Sequence, residues 1–180
     1  MNLLDGTRDF TGTWTNLDSN KWTDDGTYKG VFVKKRTDIQ WQGVYKTLTA
    51  TINGAFTFSA YVKGAGTGTT IIRSVWVNGV EKTNLRRTWT SAFDWTRDSV
   101  TLNLNANDVV FARYEISVVG TNSALWTAGH KWEQGSTATP WLPSATEVTP
   151  SDYPNYTGWY IGKIADGQSL DPTKYNWEII

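Results

Sequence analysis

Several aromatic and ionic side chains of this sequence occupy alternating positions in segments whose other positions are apolar, and these residues could do chemistry. Residues i and i+2 of a strand share a face, so the apolar parity predicts a core and the other parity an exposed surface. A flat ring matches the apolar C–H face of a sugar, while arginine and glutamate hydrogen-bond its hydroxyl groups. The sequence therefore predicts a shallow carbohydrate-binding face. Its predicted members are Trp41, Tyr45, Tyr61, Trp76, Arg97, Arg113 and Glu115, with Trp76 included if its strand takes that parity.

The sequence leaves two alternatives to this face open. The same residues could pack against the second sheet or the C-terminal segment, although burying Arg113 and Glu115 without partners would cost on the order of several kcal/mol. The rings of Trp22 and Trp89, which lie in predicted loops, form a second candidate site.

The acidic residues do not predict catalysis. A glycosidase needs two carboxylates about 5–10 Å apart across a cleft. Most of the 17 acidic residues fall in predicted turns. Glu115 is predicted in the middle of a strand on an exposed face without a partner carboxylate, and Asp98 takes the opposite parity on its own strand. The sequence has no nucleophile elbow, zinc-binding helix motif or phosphate-binding loop, so we expect no enzyme activity.

The single histidine and one acidic turn are candidates for ligand binding. His130 shares parity with Trp126 and Trp132, which favours a histidine in or near the core over a ligand-contacting or catalytic one. Asp24-Asp25-Gly26 offers oxygen ligands but lacks the spaced acidic loop of a calcium-binding hand. We expect no cofactor, and the sequence leaves a structural calcium ion open.

Composition excludes several classes of partner. The 17 basic and 17 acidic residues cancel, and Lys34-Lys35-Arg36 is the longest basic tract, so nucleic acid is not an expected partner. No apolar run approaches the length that spans a bilayer, so we expect no membrane insertion. The first residues lack the basic and apolar regions of a signal peptide. The absence of cysteine excludes disulfides.

The 11 Trp, 8 Tyr and 6 Phe, together with abundant threonine, are typical of an all-β protein. The segment 55–63 has the clearest alternation, which directs Phe56, Phe58, Ala60 and Val62 to the core. Eight or nine strands separated by turns predict a jelly-roll-like antiparallel β-sandwich. An opening segment, 2–14, holds a strand, a turn at Asp5-Gly6 and an anchor at Trp14. Further strands are predicted at 28–35, 41–49, 55–63, 70–77, 96–104 and 109–118, with a last one around 126–132.

The chain changes character near its end. Pro140 and Pro143 cannot donate to a ladder, so the last strand gives way to an extended strap that Trp141 pins to the body. We expect a sandwich at 1–148, followed at 149–180 by a linker and a small C-terminal appendix. About 25 residues bury too little surface to fold alone, so the appendix is expected to pack on the sandwich or on a partner.

The sequence also resembles a known family. The run KWEQGSTATPWLP at 131–143 is similar to the closing signature of carbohydrate-binding β-sandwich modules in phage tail and baseplate proteins. The opening segment 2–14 is similar to their start, and Tyr45-Lys46, 56–63 and 113–115 fit the same pattern. The likeness covers about residues 2–145 and is greatest to accessory baseplate or tail proteins of siphophages that infect lactic acid bacteria.

This resemblance implies a non-catalytic module in a virion, made in the cytoplasm of the bacterial host. Its expected ligand is a cell-wall saccharide of a Gram-positive host, and its expected protein partners are other tail or baseplate proteins. Two alternatives remain: an assembly module whose exposed rings dock another tail protein, and a wall-degrading hydrolase.

Overall fold

The computed structural model describes residues 1–18, 21–149, 152, 156–159, 161 and 176–179. The chain divides into two compact units, Met1–Glu147 and Val148–Ile180. A short 3-10 helix spans Thr83–Leu85. The strands are β1 (Thr23–Tyr28), β2 (Val31–Thr37), β3 (Leu48–Thr49), β4 (Gly54–Thr67), β5 (Thr70–Val77), β6 (Val80–Glu81), β7 (Arg87–Trp89), β8 (Phe93–Leu104), β9 (Val109–Val118), β10 (Thr121–Gln134), β11 (Tyr156–Trp159) and β12 (Asn176–Ile179).

The first unit is an antiparallel β-sandwich, which confirms the predicted all-β class. One five-stranded sheet has the order β1-β2-β10-β4-β8, and the other has the order β3-β9-β5-β6 with β7 paired to β5. In the second unit, β11 and β12 form an antiparallel pair in which Tyr156 lies opposite Ile179. Most of the linker and appendix predicted at 149–180 lies outside the described residues.

The core lies between the two sheets and follows the predicted alternation. Phe56, Phe58, Ala60 and Val62 of β4 are all buried in it. Every second residue of β9 from Val110 to Ile116 enters it from the other sheet. Val118 shares this alternation, but it ends the strand with 48% of its surface exposed.

The last long strand, β10, contains a bulge that reverses its two faces. Its register against β4 shifts between Ala128 and Lys131, and Gly129 within this step has φ +57°. Ala128 lies in a small outer cluster with Val31, against which Trp126 packs, whereas Trp132 lies in the main core. One extra residue moves all later side chains to the other face, so the prediction of one shared parity from Trp126 to Trp132 is wrong.

The strap that follows β10 is held to the body as the sequence predicts. The Trp141 ring packs on the outer cluster, and its Nε1 donates a hydrogen bond to Thr7 Oγ1 at 3.1 Å. The buried Lys131 ammonium lies 3.0 Å from Glu133 Oε2 and donates to the Pro140 carbonyl oxygen. The backbone N–H of Thr139 donates to Glu133 Oε1 at 2.8 Å. These bonds fix the strap to the sheet without ladder pairing.

The start of the chain differs from its prediction. Asn2 forms a single parallel bridge with Ser144, and otherwise the opening segment runs through turns rather than a strand. The predicted loop 15–26 holds most of β1. The predicted strand 28–35 is interrupted by a hairpin turn, in which Lys29 and Gly30 have φ +50° and +80°. Positive φ at both central residues is the requirement of a type I′ turn. The predicted anchor, Trp14, is buried as expected.

Two other connections also depart from expectation. Of the predicted strand 41–49 only β3 is regular, because Trp41 and Gln42 both have φ +57°. Asn53-Gly54 has a sequence that favours a hairpin turn, but it does not form one, since β3 pairs with β9 while β4 belongs to the other sheet. The Asn53 side chain instead accepts a hydrogen bond from the Ala106 amide at 2.7 Å. Among the described residues, no helix is long and apolar enough to cross a membrane.

His130 is a core residue, which confirms that prediction. It is 1% exposed, and its ring contacts Phe10 and Trp14 edge-on at centroid distances of 5.7 and 5.3 Å. Burial lowers the pKa of its imidazole from 6.5 to about 3. The ring is therefore neutral in the folded protein at every pH well above 3.

This pKa predicts a pH dependence of stability. Between pH 6.5 and 5 the unfolded chain binds a proton at His130 that the folded chain does not, so the free energy of unfolding falls as the pH falls, with a slope approaching about 1.4 kcal/mol per unit. The chain has one histidine, so His130→Gln should flatten this dependence even if it lowers stability overall. Urea unfolding at half-unit steps of pH measures both slopes. Equal slopes in the two proteins would contradict the assignment.

The bulge predicts a large effect of Gly129→Ala. A Cβ there would lie 3.1 Å from the Tyr61 ring in a left-handed backbone conformation, so we expect a loss of about 2–4 kcal/mol in urea unfolding. Gly26→Ala is the matched control, because Gly26 has φ +74° but nothing within 4 Å of its added Cβ. In the control, backbone strain alone should lower the free energy of unfolding, by about 1–2 kcal/mol. A loss no larger than the control's would show that the close approach is unimportant.

Candidate functional site

Two outer surfaces of the sandwich carry the predicted site residues. The ladder face is the outer face of the sheet β3-β9-β5-β6, with Tyr45, Trp76, Phe111 and Arg113 as its defining residues. The hairpin face is the outer face of the other sheet, named for the β1–β2 hairpin at its edge. The seven predicted residues divide between them: Trp41, Tyr45, Trp76, Arg113 and Glu115 belong to β5, β9 or the segment bordering β9, whereas Tyr61 and Arg97 lie on the hairpin face.

Three half-buried rings form a stacked row across the ladder face. Trp76 of β5 and Phe111 of β9 are direct cross-strand neighbours, and their rings are 5.9 Å apart with planes inclined by 9°. Tyr45 stacks on Phe111 at 3.9 Å and 18°. Cross-strand pairing of β5 with β9 thus sets Trp76 beside Phe111, and the segment before β3, where Tyr45 bridges Thr15, adds the third ring.

The Arg113 guanidinium lies beside this row. Its Cζ is 5.6 Å from the ring centroids of Tyr45 and Trp76 and 5.7 Å from that of Phe111. Its Nε lies 3.1 Å from Glu115 Oε1 as an ion pair. The side chain is 20% exposed. Its buried Nε makes no hydrogen bond despite the ion pair, and its two Nη groups make none within the described part of the chain. The donors of the two Nη groups are therefore available to a ligand.

Glu115 has a different position from the predicted one. It is on the outward side of β9 but only 2% exposed, because Gly43 crosses directly over it. The Gly43 amide donates to Oε1 at 3.2 Å, and the Ser74 hydroxyl lies 3.5 Å from Oε2. The prediction of an exposed carboxylate that accepts hydrogen bonds from a sugar is wrong. Glu115 instead positions Arg113.

Trp41 is the most exposed of the predicted rings, at 50%. Its amide donates to the Ile116 carbonyl oxygen at 2.9 Å, which fixes its backbone beside β9. The left-handed conformation at Trp41 and Gln42 turns the chain so that Gly43 can approach Arg113 and Glu115. The same short segment therefore covers the carboxylate and presents an open indole.

Tyr61 and Arg97 do not join this group, contrary to prediction. Tyr61 is 7% exposed, in edge-on contact with Tyr28 at 5.2 Å. Tyr28 in turn stacks on Trp95 at 4.3 Å. The Arg97 guanidinium lies 4.7 Å from the Tyr61 centroid and donates to Thr139 of the strap. The hairpin and the strap thus cover much of this face.

The loop tryptophans are not exposed rings either. Trp22 is 2% exposed, and its Nε1 donates to the Gln42 carbonyl oxygen at 3.2 Å. Trp89 is half-buried against the core and stacks on Phe93 at 5.0 Å. Because Trp22 is buried, the two rings do not form the pair of exposed rings that the sequence predicts.

Both mid-strand carboxylates are buried in ion pairs. Asp98 faces the interior, as its parity predicts, and accepts from Arg73 and Arg87 at 2.7 Å each and from the Tyr114 hydroxyl at 3.0 Å. Burial and the Asp98 charge raise the pKa of that hydroxyl. Neither Asp98 nor Glu115 faces a cleft, as a glycosidase acid or nucleophile would have to.

The carboxylates of the acidic turn considered for calcium are ion-paired with lysine side chains of the protein. Asp24 accepts from Lys34 at 2.6 Å, and Asp25 lies 3.8 Å from Lys35. Within the described ranges, no group of three or more acidic or histidine residues is placed to hold a metal ion.

Sequence reasoning missed Phe111 as a member of the row. Its outward parity was visible, and its position opposite Trp76 was the missing information, because a sequence does not state cross-strand register. Tyr28 and Trp95 of the hairpin face were missed for a stronger reason: their strands lie at opposite edges of one sheet.

Comparison with known proteins gives structural neighbours only. No protein-family model matches the chain, and no curated protein matches it either. TmCBM61, solved in complex with beta-1,4-galactotriose, is similar over 75% of this chain and 99% of its own, with 9% identity and a TM-score of 0.53. This likeness shows the fold alone, an antiparallel β-sandwich.

Two further structural neighbours have lower TM-scores. The tripod from the baseplate of bacteriophage Tuc2009 is similar over 92% of this chain and 69% of its own, with 19% identity and a TM-score of 0.43. The CBM22-1 xylan-binding domain of Paenibacillus barcinonensis Xyn10C covers 69% and 93%, with 15% identity and a TM-score of 0.44.

The burial of Glu115 predicts that it stabilises the fold. Glu115→Gln keeps the shape and an acceptor for the Gly43 amide but leaves Arg113 without a counter-charge, so we expect a loss of about 3 kcal/mol in urea unfolding. The matched control is Glu81→Gln, whose ion pair with the more exposed Arg86 should contribute less than about 1 kcal/mol. Similar losses in the two variants would contradict the role given to Glu115.

Proposed function

We propose that this protein is a non-catalytic carbohydrate-binding module whose binding surface is the ladder face. The observation that carries the proposal is the Arg113 guanidinium, held beside the rings of Tyr45, Phe111 and Trp76 with its Nη groups unpaired within the described chain. Rings that offer apolar contact and a fixed donor that reads hydroxyl positions are what saccharide recognition needs.

The exposed Trp41 extends this surface. An indole with half of its area open to water can stack on the C–H face of a sugar. The stacked row of Tyr45, Phe111 and Trp76 offers further apolar area along its exposed edges. Glu115 lies beneath, where it orients Arg113 without contacting ligand. Of the seven residues predicted for the site, we retain Trp41, Tyr45, Trp76 and Arg113 as contacts, with Glu115 in support.

Absence of catalysis is part of the proposal. The two mid-strand carboxylates, Glu115 and Asp98, are buried and already ion-paired, which favours binding over hydrolysis. We further propose that residues 1–148 form the binding module and 149–180 a linker and appendix.

The biological setting is proposed from the sequence resemblance. The closing run at 131–143 is similar to that of phage tail and baseplate modules, and the strap it forms is held by Lys131, Glu133 and Trp141. We propose adhesion of a virion to cell-wall saccharides of a Gram-positive host, with other tail proteins as partners. A shallow site binds weakly, and arrayed copies would raise avidity by about 10²–10⁴.

The test measures binding of the purified protein to cell walls from a panel of lactic acid bacteria, with galactan oligosaccharides as a first defined probe. We expect Trp41→Ala to weaken binding about fivefold, because an aromatic contact contributes about 1 kcal/mol. Phe32→Ala is the control, since Phe32 is a comparably exposed ring, at 46%, on a strand of the other sheet.

Two outcomes would count against this function. A Trp41→Ala/Tyr45→Ala double variant that keeps its near-ultraviolet circular dichroism and binds as tightly as the natural chain would exclude the ladder face. A protein that binds no wall or glycan but captures tail proteins would support the assembly module instead. Release of reducing ends from walls would show a hydrolase.

A further inference from the structure

The charges beneath the ladder face do not balance. The Glu115 carboxylate is ion-paired with Arg113 at 3.1 Å, and its charge also acts on a second guanidinium, that of Arg36. Burial lowers the pKa of Arg36, and the charge of Glu115 opposes that shift. One buried carboxylate thus serves two cations.

Arg36 cannot use its charge outside the protein. It is 1% exposed, and it donates from Nε to the Ile39 carbonyl oxygen and from Nη2 to that of Gln40, each at 3.0 Å. Its Nη1 is buried without a hydrogen-bond partner. Carbonyl oxygens solvate a guanidinium but do not neutralise it, so Arg36 continues to draw on the charge of Glu115.

The surplus positive charge therefore reaches the surface at Arg113. This side chain is 20% exposed, whereas Glu115 is 2% exposed and Arg36 1%. Its ion pair with Glu115 uses Nε, and the Nη groups have no acceptor among the described residues. The centroids of three rings lie within 5.7 Å of the guanidinium carbon.

Four other cations of the sandwich each have a carboxylate of their own. Lys46 pairs with Asp5 at 2.9 Å, Lys63 with Asp94 at 3.4 Å, and Lys131 with Glu133 at 3.0 Å. Arg86 is clasped by Glu81 through three hydrogen bonds of 2.7–2.9 Å. Arg73 and Arg87 share Asp98, so a shared carboxylate also occurs elsewhere. Arg113 differs in that its guanidinium lies among three rings on the outer face of a sheet.

We propose that the ladder face selects acidic saccharides, in which a carboxylate or phosphate on the sugar pairs with the Nη groups of Arg113 while the sugar carbons contact the rings. The inference rests on the proposed function and narrows its ligand class. A guanidinium matches either oxyanion through two parallel hydrogen bonds, and such charged bonds are about twice as strong as neutral ones.

The experiment compares one galactan in three forms: neutral, oxidised at C6 to the carboxylate, and phosphorylated at C6. Retardation of the protein in gels that contain each polymer gives the apparent affinity. We expect the two charged forms to bind about tenfold more tightly than the neutral form, corresponding to about 1.4 kcal/mol. This preference should shrink between about 0.05 and 0.5 M salt, because an exposed ion pair is screened. The relative affinity of the two charged forms distinguishes uronic acids from sugar phosphates.

Two variants locate the effect. Arg113→Gln should remove the preference for the charged forms, and Arg113→Lys should retain part of it, because lysine keeps the charge but loses the planar pair of donors. Lys63→Gln is the control: it removes one positive charge from the exposed pair with Asp94 on the other sheet and should leave the preference unchanged.

The outcomes separate this inference from the proposed function. Equal retardation by all three forms, or by none, overturns acid selectivity, as does a preference that survives Arg113→Gln. The preference for the charged forms and its salt dependence are both measured on the unsubstituted protein. The test of acid selectivity therefore does not require either variant to fold. Failure of the wall-binding assay overturns the proposed function itself, whatever the gels show.

Discussion

The bulge at Gly129 is the constraint on which the rest of the sandwich depends. Only a residue that tolerates φ +57° and a ring 3.1 Å from its Cβ position fits between Ala128 and His130. Before it, β10 turns Trp126 outward; after it, Trp132 turns inward and Lys131 outward. The same step therefore seals the core and supplies the ammonium that fastens the strap.

Regular alternation made part of this fold predictable. The strands at 55–63, 70–77 and 109–118 were identified correctly because an apolar residue at every second position is typical of a strand with one face in a core. The failures occur where backbone conformation breaks the period. Lys29, Trp41 and Gln42 adopt positive φ without being glycine, and nothing in their residue types announces it. Tertiary contacts fix these conformations, so local sequence could not reveal them.

The site was predictable to a similar degree. Parity correctly directs Arg113 and Glu115 away from the core, but whether such a side chain is open or covered depends on what crosses above it. Gly43 crosses Glu115 and leaves the end of Arg113 open, a difference of a few ångströms that arises from the path of a loop. The assignment of Tyr61 and Arg97 failed because parity does not say which sheet a strand joins.

The first unit also brings its two ends together. Asn2 bridges Ser144, and the Leu3 amide donates to the carbonyl oxygen of Trp132 at 2.8 Å, so the segments that enter and leave the sandwich run side by side. A few glycines would join them, and the chain could then be cut open at an exposed turn such as Asn78-Gly79 to give a circular permutant. For the same reason, the module could be grafted into a surface loop of an unrelated scaffold with little stretching of either protein.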